Sequence, residues 1–236
     1  MRTFYAPPEN FTGDNRAVLT GDEARHAVKV LRLREGGRIR VVDGHGNAFI
    51  SEIVKIVSEH EVHVAIVEKA DSADPRAHIA LAVAIPRPQR MDFLVEKAVE
   101  IGAAEIYPLV FERTPRRLSG KTVRWRKIAI SAMKQCGRAS LPTIHEPRNL
   151  EVFMDFVGEF ESRYVAHLLD GKPLLSYNLS NKAVIAVGPE GGFTEAEMDM
   201  LIENGFQEFS LGRRVLRVET AAIVALSLFM AGLGEI

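Results

Sequence analysis

Five ionisable residues near the carboxyl end, Glu190, Arg213, Arg214, Arg217 and Glu219, sit in two glycine-bearing stretches. The first is Gly188-Pro189-Glu190-Gly191-Gly192. Glycine lets backbone approach a flat ligand closely, and proline stiffens the loop. A plain left-handed turn is the simpler reading of Gly-Gly alone. The second stretch, Leu211 to Ala222, holds three arginines within five residues beside a glutamate that opens a helix. A helix amino terminus favours that acid, so a dipole-matched first turn accounts for Glu219 by itself. Val215, Leu216 and Val218, however, are apolar residues in a loop, where exposure is costly, so they are expected to wall a pocket.

Other chemistries find little support. Neither stretch ends in the Gly-Lys-Ser/Thr of a phosphate loop, and neither has the Gly-x-Gly-x-x-Gly spacing of a dinucleotide turn. The seven histidines show no metal-ligand spacing, and the single cysteine, Cys136, excludes an internal disulfide. A cysteine hydrolase would rest on Cys136 alone, without a clear base beside it. No uncharged apolar stretch approaches the roughly 20 residues of a membrane span, and a reducing, cytoplasmic setting is the simplest fit.

The elements that must position these residues are legible in the pattern. Val184 to Val187 is a short β-rich run bounded by glycine, a buried strand. Thr194 with Glu197 forms a capping box that starts a helix. Glu208 to Leu211 is a second strand, and Glu219 to about Met230 a final helix. Upstream, His78 to Ile85, Ile106 to Phe111 and Tyr164 to Leu169 read as strands. Gln89 to Ile101, with Phe93, Leu94, Ala98 and Ile101 inward, Lys121 to Cys136 and Asn149 to Val157 read as helices. This alternation predicts an α/β fold with a mostly parallel sheet from residue 73 to residue 236. Residues 1–72 form a smaller unit. A helix over Ala24 to Leu33 buries Ala27, Val30 and Leu31, and β-rich runs Arg38 to Asp43, Ala48 to Val57 and Glu61 to Lys69 predict a compact β-barrel. The polar run Ala70 to Pro75 is a linker.

With 236 residues, 47% of them hydrophobic, the chain can bury a sizeable core. Its net charge of −1 conceals an asymmetry. Residues 112–138 hold nine Lys/Arg and one acid, a net of +8, whereas residues 146–208 hold four and twelve, a net of −8. Arg113, Arg116, Arg117 and Arg124 in the basic stretch are the best footprint for nucleic acid, because clustered cations neutralise phosphates. Against this stands the bland reading of a solvated helix face. Arg25, Lys29, Arg32, Arg34, Arg38 and Arg40 form a second, looser cluster.

Taken together, Gly188 to Gly192, Leu211 to Ala222, Gln135-Cys136-Gly137-Arg138, the Arg90-Met91-Asp92 to Gly102 helix, and His26 with Val30-Leu31-Arg32 resemble one family. It is the SPOUT class of S-adenosylmethionine-dependent RNA methyltransferases, and within it the ribosomal RNA small subunit methyltransferase E family. The resemblance implies a carboxyl-terminal α/β domain with a deep trefoil knot behind a PUA-like RNA-binding barrel. It implies a homodimer, without membrane or metal, that methylates N3 of a uridine in 16S rRNA of the small ribosomal subunit. Cofactor contacts are expected from His167, Leu168 and Leu169, from Gly188, Pro189, Glu190, Gly191 and Gly192, and from Leu211, Gly212, Val215, Leu216, Arg217, Thr220 and Ala221. RNA contacts are expected from Arg25, Arg32, Arg34, Arg90, Arg116, Arg117, Arg124 and Arg138. Arg217, then Arg113, would stabilise charge on the base oxygens, and Glu219 or Glu190 would take the N3 proton. Two rivals stand beside this reading: a ribose 2′-O-methyltransferase of the same class acting on rRNA or tRNA, and a non-catalytic RNA-binding ribosome factor.

Overall fold

The computed structural model describes residues 1–114, 122–167 and 171–236. They form two units, Met1–Asp74 with Ile130–Leu141, and Pro75–Ala129 with Pro142–Ile236.

The first unit is built on six strands, β1 (Thr3–Tyr5), β2 (Phe11–Thr12), β3 (Arg16–Thr20), β4 (Arg38–Val42), β5 (Ala48–Ser58) and β6 (Glu61–Ala70). Their order is β1-β4-β5-β6-β3-β2. Only β1 and β4 run parallel; the other neighbours are antiparallel. Alternation places Ala17 and Leu19 of β3, and Val62 and Val64 of β6, on the buried face, where they join Phe4, Ile39, Val41 and Ile53. β3 was not anticipated, since five residues with arginine and threonine at the ends offer only two inward apolar positions. The helix expected over Ala24 to Leu33 also differs. α1 (Gly21–Arg25) ends early, and His26–Val30 widens into a π turn in which the Leu31 N–H reaches the His26 carbonyl at 3.0 Å. A wider turn takes more residues per revolution, so the side-chain phase slips. Ala27 stays buried, Leu31 packs partly, and Val30 is 64% exposed.

Arg138 is a further correction. Expected among the RNA-facing arginines, it is 3% exposed and lies 3.4 Å from Asp74. Asp74 in turn accepts the backbone N–H groups of Ala139 and Ser140. Burial works against the Asp74 charge, but these donors and Ser72 outweigh it and hold the carboxyl below its usual range. Arg40 is likewise turned inward, donating to the Asp71 and Gly137 carbonyls.

The second unit carries seven strands: β7 (His78–Ala84), β8 (Glu105–Val110), β9 (Thr143–Ile144), β10 (Arg148–Asn149), β11 (Ser162–Ala166), β12 (Lys182–Val187) and β13 (Gln207–Phe209). They run in the order β10-β8-β7-β12-β11-β13, with β9 on β8, and every pairing is parallel. Its helices are α2 (Pro88–Ile101), α4 (Leu150–Val157), α5 (Glu195–Glu203) and α6 (Val218–Gly232), and α3 (Thr122–Cys136) belongs to it as far as Ala129. Pro88 at the first position of α2 needs no hydrogen-bond partner there, and Gly102 at φ +120° ends the helix. A Cβ on Gly102 would stand 2.7 Å from Met230, so α2 and α6 pack closely. The buried face of α2 is Met91, Leu94, Val95, Ala98 and Val99; Phe93, expected inward, is 48% exposed. Asn149 and Thr194 cap α4 and α5, the latter with the full capping box to Glu197.

At the amino ends of β7 and β8, Glu105 bonds His78 (2.7 Å), His145 (2.6 Å) and the Tyr107 hydroxyl (2.8 Å). Burial alone would raise its pKa, but the three donors override that and hold it at about 2. A depressed carboxylate stabilises the fold above its unfolded pKa, and that contribution is lost as pH falls. Glu105→Gln should therefore lose on the order of 2 kcal/mol at pH 7. The gap to the parent should close between about pH 5 and pH 2, as urea melts across that range would show. A gap that persisted at the acid end would refute the assignment.

Candidate active site

Three neighbouring strands stop at one level. Ala166 pairs with Val187 on β12 and with Phe209 on β13. The chain then leaves as His167, Gly188 and Ser210. Parallel strands deliver all three loops to the same edge, where ligands of such sheets bind. A cavity of about 260 Å³ lies between the loops, lined by Ala166, His167, Val187, Gly188, Pro189, Glu190, Gly192, Phe193, Leu211, Gly212, Arg214, Val215, Leu216, Val218 and Ala221.

Packing fixes the Gly188 loop. A Cβ on Gly188 would stand 2.7 Å from the Phe193 ring, which meets Phe111 edge-on at 5.3 Å and His167 at 6.2 Å. Gly191 backs onto Arg113, whose Nη1 donates to the carbonyls of Gly191 (2.7 Å) and Phe193 (3.4 Å). Glu197 accepts the Thr194 N–H at 2.8 Å with one oxygen and the Glu112 N–H at 2.9 Å with the other. It thus ties the segment after β8 to the loop after β12. Across the cavity Gly212 adopts φ +96°, and its N–H meets the Ser210 hydroxyl at 3.0 Å.

The charges are unevenly committed. Glu190 lines the cavity and takes Arg90 Nη1 on Oε1 at 2.5 Å. Arg90 Nε also lies 3.5 Å from Oε1 of Glu219, whose side chain is 10% exposed and whose Oε2 has no hydrogen-bond partner. His167 Nδ1 is 2.7 Å from Glu208. Arg217 occupies the N-cap of α6 in extended backbone, where its carbonyl accepts the Ala221 N–H at 2.8 Å; its side chain is exposed and makes no hydrogen bond or ion pair to the other described residues.

Most of the expected cofactor residues converge here: His167, Gly188, Pro189, Glu190, Gly192, Leu211, Gly212, Val215, Leu216 and Ala221 all line the cavity. Gly191 faces Arg113 instead, and Arg217 and Thr220 are exposed outside the lining. Leu168, Leu169, Arg116 and Arg117 lie outside the described residues. Arg25, Arg32 and Arg34 are exposed on the first unit. Arg124 is held by Asp92 through a short bond of 2.6 Å, and Arg90 is engaged by the two glutamates. Sequence reasoning missed Phe193 and Arg214 as lining residues; the signal for Phe193 was a large aromatic directly after Gly-Gly in an otherwise polar loop. Among the described residues no group of three or more His, Cys, Asp or Glu could hold a metal ion, and no helix is long and apolar enough to cross a membrane.

The Gly188–Phe193 contact predicts that Gly188→Ala costs about 1–3 kcal/mol by overpacking. It should show as a lower thermal midpoint. Adding Phe193→Leu should restore part of the loss; an unchanged midpoint in the single variant would mean the ring has room to move.

Comparison with known proteins agrees with this architecture. The RNA methyltransferase domain family matches residues 73–230, and the RNA methyltransferase PUA domain matches residues 19–67. The ribosomal RNA small subunit methyltransferase E of Buchnera aphidicola is 31% identical over 232 residues, spanning 94% of this chain and 90% of that protein. The enzyme of the same name from Synechocystis is 31% identical over 218 residues, 89% of this chain and 71% of its own length. Among solved structures, the ribosomal RNA small subunit methyltransferase E of Neisseria gonorrhoeae bound to S-adenosyl methionine superposes with a TM-score of 0.88 at 31% identity, over 98% of this chain and 97% of the other. A Legionella pneumophila methyltransferase with bound SAM gives 0.87 at 31% identity, over 97% and 96%. A family match over most of its length, a parallel sheet with a loop-built cavity at its carboxyl edge and a PUA-like β unit ahead of it show that the chain belongs to the SPOUT-fold RNA methyltransferases.

Proposed function

We propose that the protein transfers a methyl group from S-adenosylmethionine to N3 of one uridine in 16S rRNA of the small ribosomal subunit. The observation that carries this reading is the cavity between the loops after β11, β12 and β13, with Glu190 as its lining carboxylate and Arg217 uncommitted nearby in sequence. Its chemistry suits the cofactor. Gly188 and Gly212, which carry no side chain, let a flat base approach the backbone closely, and Leu216, Val187 and Val218 offer apolar contact. A carboxylate in the lining suits a cation. When bound, S-adenosylmethionine supplies an electrophilic methyl group on positively charged sulfur.

The chain's own groups then do three things. The loops hold the two reactants in line, which is where most of the rate arises in such a transfer. Arg217 donates to the uracil oxygens, where negative charge gathers as N3 loses its proton. Glu190, the carboxylate in the cavity lining, accepts that proton. The pair left on N3 forms the new N–CH3 bond while the carbon–sulfur pair returns to sulfur. Glu219 is set back from the cavity and is the second choice for the base. Exposed Arg25, Arg32 and Arg34 supply phosphate contacts from the first unit. The protein is further read as a cytoplasmic homodimer, like the family it resembles, with small subunits rather than free RNA as substrate.

Mass spectrometry of digested 16S rRNA tests the reading. RNA from a strain lacking the gene should lack one N3-methyluridine, restored by the purified protein and S-adenosylmethionine. Loss of a ribose methyl instead would favour 2′-O chemistry, and no change would leave an RNA-binding factor. Arg217→Ala should lower turnover by about 10²-fold while cofactor binding persists. Full turnover in that variant would remove Arg217 from the reaction.

A further inference from the structure

Arg90 stands between two carboxylates that reach it from different loops. Its Nη1 is 2.5 Å from Glu190, in the loop after β12; its Nε is 3.5 Å from Glu219, in the first turn of α6. A guanidinium has five N–H donors, enough to serve both acids. Yet only Glu190 receives a good hydrogen bond. The side chain of Glu190 is 57% exposed, whereas that of Glu219 is 10% exposed and keeps an oxygen with no donor. Water can solvate the first acid but hardly the second. Burial alone therefore favours the opposite pairing, because an unpaired buried carboxylate oxygen is costly and a solvated one is not. The present pairing is held by the better geometry at Glu190, and closing the Glu219 gap from 3.5 Å to a charge-assisted bond of about 2.8 Å is a small movement.

We infer that Arg90 is an exchangeable counter-ion, a positioning residue that passes from Glu190 to Glu219 when Glu190 engages a cationic ligand in the cavity. The inference rests on the reading of that cavity as the S-adenosylmethionine site. A cation beside Glu190 competes with Arg90 for the same carboxylate. Released, Arg90 finds Glu219 already within an ångström of bonding distance, and the unsatisfied acid gains its donor. Binding at the Gly188 loop is thereby coupled to the first turn of α6, which follows directly on Arg217. This replaces the expectation that Arg90 contacts RNA.

The exchange makes two variants act in opposite directions. Glu219→Gln removes the charge that draws Arg90 away, so Arg90 stays on Glu190 and the cavity prefers a cation less. Arg90→Gln removes the competitor, so the preference grows. The readout is the ratio of affinities for S-adenosylmethionine and S-adenosylhomocysteine, which differ in the charge on sulfur, measured by calorimetry on the full chain. The ratio should fall about fivefold in Glu219→Gln and rise about fivefold in Arg90→Gln, changes of the size usual for coupled sites. A role in holding the fold alone would lower both affinities together and leave the ratio fixed, and a phosphate contact would alter neither. Either result overturns the exchange. Should Arg90→Gln fail to fold, as a thermal melt would show, the isosteric Glu219→Gln decides by itself. A parent protein that binds neither compound would overturn the reading of the cavity and the exchange with it; a parent that binds both, with ratios unmoved by the variants, overturns the exchange alone.

Discussion

The site depends on β11 being hydrogen-bonded in parallel to both β12 and β13, with Ala166 opposite Val187 and Phe209. That register sets the height at which three loops emerge. A slip of one residue on any of the three strands would turn its side chains to the other face and stagger the loops. The register is secured by burial. Five of the six residues of β12 are buried, as a strand covered on both faces of a parallel sheet must be. Val184 and Ile185 therefore act on the chemistry without touching it: they decide that Gly188 begins where His167 and Ser210 begin.

From that level the loops are shaped by tertiary contacts more than by local preference. Gly188 is required because the Phe193 ring occupies the space of its missing side chain. Gly191 lies close against Arg113, where a Cβ would meet its side chain at 3.1 Å, and Arg113 bonds the loop carbonyls. Gly192, at φ +72°, is the position where glycine serves backbone conformation itself. The capping box of α5 extends this logic, since the carboxylate that closes the box also receives the Glu112 N–H. One residue thus starts a helix and joins two loops.

These origins explain what could be read in advance. The strand-and-helix alternation, the Thr194–Glu197 cap and the convergence of the two glycine-bearing stretches are short-range or periodic signals, and they fixed the α/β sheet and most of the cavity wall. β3 escaped because Ala17 and Leu19 are its only inward positions. The π turn after Arg25 escaped because it changes the phase of a helix without changing its composition. The ion pairs of Arg90 and Arg138 escaped for a third reason. Their partners lie far away in sequence, Glu190 and Asp74, and a basic residue destined for an ion pair looks the same in the chain as one destined for solvent.

That last failure separates the arginines by what they do. Arg113 and Arg163 spend their donors on backbone carbonyls: Arg163 reaches Val157, Phe160 and Asn204, tying the segments that follow α4 and α5. Arg124 and Arg138 are neutralised by aspartates. All four add rigidity, and the two paired with aspartates add little field, because their charge is matched within bonding distance. Nucleic acid is attracted by charge that remains uncompensated. Arg217, exposed at the N-cap of α6 and unpaired among the described residues, is of that kind, and so is Arg214 in the cavity wall. Arg217 also adjoins the positive end of the α6 dipole, which adds to the attraction for a developing anion rather than offsetting it. The local chemistry therefore follows the unmatched arginines rather than the total basic count of the chain.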